Sequence, residues 1–582
     1  MKGKDKMNFD AFFDLLLNSK GAMADVSADP NANVAGRSIA TVMQEASKPL
    51  MKNYCLSKLF QHVDVETKVK ESELYVSDSH MLFAPYCWNF SVSHLMAFGL
   101  PFIPNIPSKP AVHANSFVQH CIQLIMYASN HQSGAAALTS FFVGLDWYVR
   151  KDKIDEEEIK QLFQIFTYSI NQPVRFSAQS PYVNLSIFDS HYLKDLYGSF
   201  RYPDGSALNE RSVQSLQRMY VEWFVEEIEK TGFIFTFPVL TACLLLDDNG
   251  EIRDEEFLDW LSEVNSKYGM VNIYMSKNAD SLSSCCRLRN NLGYVNSFGS
   301  GGDGVGSVGV CAINLPHIAL ISGSEDKFFA RLKEDVLDAQ RCVEFRRSWV
   351  KENISRGFLP LYDHGFMSLE RQYCTVGIVG AWEAGEFLGV KDHIAFSKKI
   401  METINNLNET RRKETGFPYN VEQVPAENMA VYMAQKDREL GLQQKYNIYS
   451  NQWIPLSHET NVIERIYTAG QLDDLATGGA ILHVNTQGKV KPGTHKEIVK
   501  LCAKMGVVYF ALNYILSRCT KCNEVYAGEP AVCSCGNNEF DKFTRVVGFV
   551  TPVRNWKKER RDEFKTRIKY DLGAYDEENI AC

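Results

Sequence analysis

The chain has 582 residues, 45% hydrophobic and 23% charged, with a formal net charge of −8. That length supports several domains or one large barrel, and the acidity argues against nucleic acid as a partner, because phosphate binding needs a basic surface. No run approaches the roughly 20 apolar residues of a membrane span, and 15 cysteines without a secretion signal point to thiols or metal ligands in a cytoplasmic protein, not to a disulfide framework.

The amino end, "MKGKDKMNFDAFFDLLLNSKG", carries Asp14 inside its apolar patch and no small-residue cleavage site, so it is not a secretory signal. Residues 1 to about 50 are polar and mixed, with a loop at "VSADPNANVAGRS". From about 50 to 510, helical and strand-like runs alternate. "YCWNFSV" (86–92) sets Cys87 among aromatics, where a thiol is more often a core residue than a reactive one. "DEEEIKQLFQIFTYSI" (155–170) predicts a helix with Ile159, Leu162, Phe163 and Phe166 on one face and acids in its first turn. "YVNLSIF" (182–188), "FIFTFPVLTACLLL" (233–246) and "TVGIVGAW" (375–382) read as buried strands. "VGVCAINLPHIALI" (308–321) reads as a β-branched run halted by Pro316. Strands alternating with helices point to an α/β fold with parallel strands and helices outside.

Several stretches admit both a structural and a chemical reading. "SSCCRLR" (283–289) places Cys285 and Cys286 beside Arg287, and neighbouring positive charge favours thiolate; adjacent cysteines are also often incidental packing. "SFGSGGDGVGSVG" (297–309) contains G-x-G-x-x-G, but a strand follows it where a dinucleotide site needs a helix, so it reads as a glycine loop. "GFPYNVEQVPAENM" (416–429) sets Glu422 and Glu427 around Pro425. Either carboxylate suits a general base at a rigid corner, or the segment caps a helix starting at "AENMAVYMA". "ATGG" (476–479) either holds substrate phosphates or lets another loop approach.

The strongest local signal is "CTKCNEVYAGEPAVCSCG", where Cys519 and Cys522 form C-x2-C and Cys533 and Cys535 form C-x-C. Four thiolates in two close pairs suit a structural tetrahedral Zn²⁺. Shortly afterwards "TRVVGFVTP" (544–552) places a bare glycine, Gly548, in an apolar stretch. It is either a strand glycine that another backbone approaches or itself a reactive group.

Taken together, "PYCWNFSV", "SNHQSGAA", "SSCCRLR", "GVCAINLPHIAL", "ETGFPYNVEQVPAENM", "LATGGAILHV", the cysteine cluster and "RVVGF" resemble, in order and over about residues 50–570, the anaerobic (class III) ribonucleotide reductases, a glycyl radical family. The resemblance implies a ten-stranded α/β barrel with a small C-terminal zinc and glycyl radical domain. Its divisions would be an N-terminal extension at 1–50 with no ATP cone, a barrel at 51–514, a four-cysteine zinc site at 515–540, and the glycyl loop and tail at 541–582. It implies a radical stored on Gly548, for which glycine suits because no side chain crowds a planar α carbon. The thiyl would form on Cys286, with Cys285 as a possible relay. Cys87 would be the reductant across the substrate, and Glu422, with Glu427 second, the general base. Ser307 stands where formate-using members carry asparagine, which with the paired cysteines places the chain nearer the branch reduced by a glutaredoxin- or thioredoxin-like dithiol protein. The resemblance also implies ribonucleotide substrates, dNTP or ATP specificity effectors, a homodimer, and a radical-SAM activase with an iron–sulfur cluster. The competing readings are a glycyl radical lyase of the pyruvate formate-lyase type and a non-catalytic zinc-ribbon binding protein.

Overall fold

The computed structural model describes residues 9–18, 23–26, 38–279, 281–283, 289–291 and 303–574. Its strands, in chain order, are β1 (Leu74–Val76), β2 (Cys87–Asn89), β3 (Ala136–Ala137), β4 (Asn184–Phe188), β5 (Val239–Leu245), β6 (Val271–Ser276), β7 (Ser281–Ser283), β8 (Arg289–Asn291) and β9 (Val305–Asn314). They continue with β10 (Gln372–Val379), β11 (Tyr419–Gln423), β12 (Leu482–Asn485), β13 (Tyr509–Asn513), β14 (Leu516–Cys519), β15 (Val525–Ala527), β16 (Phe540–Arg545) and β17 (Val550–Pro552).

Two mixed sheets form the centre, one ordered β11-β10-β9-β2-β3 with β1 on β9, the other β12-β13-β6-β5-β4. Within each, parallel neighbours dominate and one main-path pairing is antiparallel: β2 with β9, and β13 with β6. The sheets are not closed into one continuous ladder, but hydrogen bonds reach across both gaps. On one side Ala136 N–H donates to Tyr182 O (2.8 Å) and Leu138 N–H to Asn184 O (3.0 Å). On the other, Gln423 N–H donates to Gly479 O (3.0 Å) and Gly478 N–H to Val421 O (2.7 Å). The mixed α/β class is therefore as the sequence predicts.

The strands carry little alternation because helices cover them. All residues of β5, β9 and β10 are buried, as expected for strands enclosed on both faces. The helix Glu325–Ser355 contacts β9 and β10 from outside. Polar residues are nevertheless buried on the strands, among them Asn184, Thr241, Asn272, Ser307, Glu422 and Asn513. Burying so many polar groups is costly unless they are hydrogen-bonded, and their partners build the site below.

The helix predicted over 155–170 spans Glu156–Ile170, with Asp155 accepting from Glu158 N–H and the four named apolar residues buried. Pro316 plays a different part from that predicted. The strand ends at Asn314, and "LPHIALIS" is a helix, Leu315–Ser322, whose first turn holds the proline. Its missing N–H has no helical partner to lose there, and Asn314 caps the turn by accepting from His317 N–H (3.2 Å).

A third, antiparallel sheet, β15-β14-β16-β17, carries both the cysteine cluster and the Gly548 segment. It continues into the helix Lys558–Thr566, which the amino end touches: Asp25 accepts from Lys558 N–H (2.9 Å) and pairs with Arg561 (3.0 Å). Among the described residues no helix is long and apolar enough to cross a membrane.

Candidate active site

Strands β16 and β17 pair antiparallel with Arg545 opposite Val550, so residues 546–549 turn between them. Gly548 is buried in that turn, and its neighbours Val546, Val547 and Phe549 are at most 4% exposed. The Gly548 carbonyl accepts from Asn272 Nδ2 on β6 (3.1 Å). The Phe549 ring meets Tyr182 (centroids 5.7 Å) and Phe237 (5.5 Å) ahead of β4 and β5.

Below the turn, Arg545 locks the strand in place. Its guanidinium donates to Gly269 O (2.6 Å), at the carboxyl end of the helix Glu255–Tyr268, and to Leu512 O (3.3 Å). Its N–H donates to Asn513 Oδ1 (3.1 Å), and its carbonyl accepts from Arg567 (3.0 Å). Burial pulls the Arg545 guanidinium down to about 10, with carbonyls for partners and no ion pair among the described residues.

The turn faces a cavity of about 200 Å³ whose walls include Val547, Phe549, Cys87, Glu422 and Glu427. Three residues expected to act on substrate thus share one space with the two neighbours of Gly548. Cys87 is 3% exposed on β2 and accepts from Ala135 N–H at Sγ (3.2 Å). A Cβ on Gly134 would lie 2.3 Å from that sulfur and 2.9 Å from Tyr86 O, so only glycine lets the chain pass there.

Directly across the ladder from Cys87 stands Ser307. Its hydroxyl is held by Thr375 Oγ1 (2.9 Å), Gly309 O (3.2 Å) and Tyr373 O (3.3 Å). Glu422 is 3% exposed on β11, between Gly377 of β10 and a bridge to Gly479. The "ATGG" turn therefore comes close to the strand that bears the carboxylate: a Cβ on Gly478 would sit 3.0 Å from Val421 O.

Glu427 is half-buried just beyond Ala426, whose φ of +49° lies in the left-handed region. The helix after it, Met429–Glu439, starts from Asn428, whose side chain makes no capping hydrogen bond. Arg560 holds this corner, donating to Ala426 O (3.0 Å) and Glu427 O (3.1 Å).

Cys285 and Cys286 lie outside the described residues. The strands on either side of them, β7 and β8, pair antiparallel with Ser283 opposite Arg289.

The four cysteines of the C-terminal sheet converge. Their sulfurs all lie within 4.8 Å of one another, with Cys519–Cys535 at 3.6 Å and Cys522–Cys533 at 3.5 Å. Zn–S bonds of about 2.3 Å in a tetrahedron require S···S edges of about 3.8 Å, so the donor set fits zinc. Left-handed residues follow each pair, Asn523 (φ +66°) and Gly536 (φ +80°). Cys519 Sγ also accepts from Asn537 Nδ2 (3.3 Å) and Lys521 N–H (3.4 Å), the outer donors a metal-bound thiolate uses.

Sequence reasoning missed Asn272, Tyr182, Phe237 and Arg560, and took Arg545 only as part of the "RVVGF" motif. Asn272 and Tyr182 sit in runs whose apolar pattern hid them. Arg560 belongs to the basic stretch "NWKKERRDEFKTR", whose charge alone does not mark it out, yet it is only 3% exposed.

A model of the anaerobic ribonucleoside-triphosphate reductase family matches residues 30–570. The anaerobic ribonucleoside-triphosphate reductase of Haemophilus influenzae is 24% identical over 46% of this chain and 43% of its own length, so the match spans under half of that relative. Among solved structures, the Thermotoga maritima anaerobic ribonucleotide reductase in complex with dATP and CTP is 36% identical, covers 97% of this chain and 100% of that one, and superposes with a TM-score of 0.82. The same enzyme with glycerol in its active site is 38% identical, with coverage of 90% and 91% and a TM-score of 0.82. The chain belongs to the anaerobic ribonucleoside-triphosphate reductase family.

Proposed function

We propose that this chain reduces ribonucleoside triphosphates to 2′-deoxyribonucleotides in the absence of oxygen. The observation that carries the reading is the shared cavity: Cys87 and Glu422 face the same space as the two residues flanking the buried Gly548. Each of the two central sheets supplies five strands to a path bridged on both sides by hydrogen bonds, which supports reading them as a ten-stranded barrel around that space.

An oxidised Gly548 would supply a stored oxidising equivalent, delivered through Cys286 to the ribose 3′ hydrogen. Glu422 accepts the 3′-hydroxyl proton, because charge develops on that oxygen as the hydrogen leaves. Cys87 gives its proton to the 2′ hydroxyl, which departs as water. Two thiols are oxidised to one disulfide for each ribonucleotide reduced; the second is Cys285 or Cys286. A dithiol redoxin then reopens the disulfide by thiol exchange. Ser307 supports a redoxin over formate: its hydroxyl is committed to strand oxygens, and no amide stands there to bind a carboxylate. A radical-SAM activase, a Zn²⁺ on Cys519, Cys522, Cys533 and Cys535, and a homodimer complete the proposal. Specificity effectors such as dATP, bound in a Thermotoga maritima structure, are proposed here too.

The test is anaerobic activation followed by turnover of CTP. A glycyl doublet in electron paramagnetic resonance, with multiple turnovers supported by thioredoxin or glutaredoxin, is the expected result; turnover on formate alone would overturn the reductant. Cys87→Ser should keep the doublet and abolish deoxyribonucleotide formation, because an alcohol can be neither of the two thiols oxidised to the disulfide. Gly134→Ala should push the Cys87 sulfur aside. Misplacing a reacting atom by about 1 Å costs about 10²-fold, so its turnover should fall by that factor with the doublet intact.

A further inference from the structure

Asn272 is fully buried on β6, and its Nδ2 makes two contacts, to Gly548 O (3.1 Å) and to Tyr509 Oη on β13 (2.9 Å). Tyr509 Oη lies 3.2 Å from Thr241 Oγ1 on β5, which accepts from Asn184 Nδ2 on β4 (3.1 Å). A single polar chain thus runs across four neighbouring strands and ends on the carbonyl of Gly548. A carbonyl oxygen can only accept, so the Asn272 amide must present its NH2 to the turn. Its own Oδ1 is buried without a hydrogen-bond partner among the described residues. An orphaned buried acceptor costs stability, so an amide serving only to fill space would be poorly chosen here. The side chain is kept for its donor.

We propose that Asn272 is a positioning residue for the oxidised form of Gly548. An unpaired electron on a glycine α carbon is shared with the flanking nitrogen and carbonyl, provided the three are coplanar. A donor fixed on the carbonyl oxygen strengthens the withdrawing arm, moves spin off the α carbon, and holds the peptide plane in place. The consequence is a deeper store: hydrogen exchange between a cysteine thiol and Gly548 is biased toward keeping the oxidising equivalent on the glycine. The inference rests on the functional reading above.

The experiment uses the full chain, activated anaerobically, and compares wild type with Asn272→Ala and Tyr509→Phe. The readouts are the α-proton splitting of the doublet and its rate of loss to dithiothreitol. Asn272→Ala should widen the splitting and speed the loss about fivefold, the factor equivalent to one net hydrogen bond. Tyr509→Phe, which keeps the donor but releases its second anchor, should move both readouts the same way by less. If Asn272→Ala fails to take up the radical, Tyr509→Phe and Asn272→Gln decide by the same two numbers. Unchanged splitting and loss rate in a loaded Asn272→Ala, or in both remaining variants, overturns the proposal. Absence of a doublet in the wild type overturns the functional reading instead, so the two failures are told apart.

Discussion

Gly548→Ala is expected to abolish both the doublet and deoxyribonucleotide formation while leaving the protein folded. An α carbon that loses hydrogen must flatten to share its electron with both peptide neighbours, and a methyl group crowds that flattening where hydrogen does not. The turn is otherwise held by groups a methyl does not remove: the Arg545–Val550 register, the Arg545 bonds to Gly269 and Leu512, and the Phe549 ring against Tyr182 and Phe237. Thermal melting and zinc content should therefore match wild type. The complementary measurement is exposure to air after activation. Wild type should be cut at residue 548, whereas the alanine chain should stay whole. A zinc-ribbon protein without catalysis would lose nothing in this variant, so retained activity or retained signal would end the radical reading.

How much of this was legible in the sequence follows from the kind of signal each feature leaves. The cysteine cluster is local in sequence, and its spacing singled it out; the four sulfurs converge, whereas Gly548 stood out only as a bare glycine in an apolar stretch whose two readings the family resemblance decided between. The helix predicted over 155–170 was legible because one apolar face and acids in the first turn are contained in a single window. Pro316 misled because an apolar run does not reveal its period when it is buried on all sides, and a proline ends a strand or begins a helix equally well. Asn272, Tyr182 and Arg560 were illegible for a different cause. Their importance lies in what they touch, across sequence separations of 276 residues for Asn272–Gly548 and 134 for Arg560–Ala426. Cys87, Glu422 and Ser307 fall between these cases. Their motifs singled them out, but only the fold brings Cys87 opposite Ser307 and both carboxylates to one cavity.

Removing the metal should disable the glycine turn without melting the central sheets. Zinc on such a site contributes about 10–16 kcal/mol of apparent binding free energy, which for a small module is folding free energy. Here the module is an edge. Cys519 is the last residue of β14 and pairs with Phe540, the first residue of β16, whose other end leads into the turn of Gly548. The Asn523 turn also abuts the main body, where a Cβ on Gly232 would lie 2.1 Å from Asn523 O. Cys519→Ser should therefore lose zinc and fray β14 from β16, because Cys519 is buried at the strand end. Cys522→Ser should do less, since Cys522 is exposed in the following turn. The central sheets bury their own core and should keep their melting transition, leaving a new, earlier step for the C-terminal sheet. Metal analysis, melting and radical yield on the same samples check this. Without β14 to hold β16 in register, Arg545 and Gly548 are no longer presented to Gly269 and Asn272, and radical yield should fall in step with zinc content. A zinc-free chain that loads the radical to the wild-type level would show that the sheet is held by Arg545 and Arg567 alone, and that the cysteines serve something other than the turn.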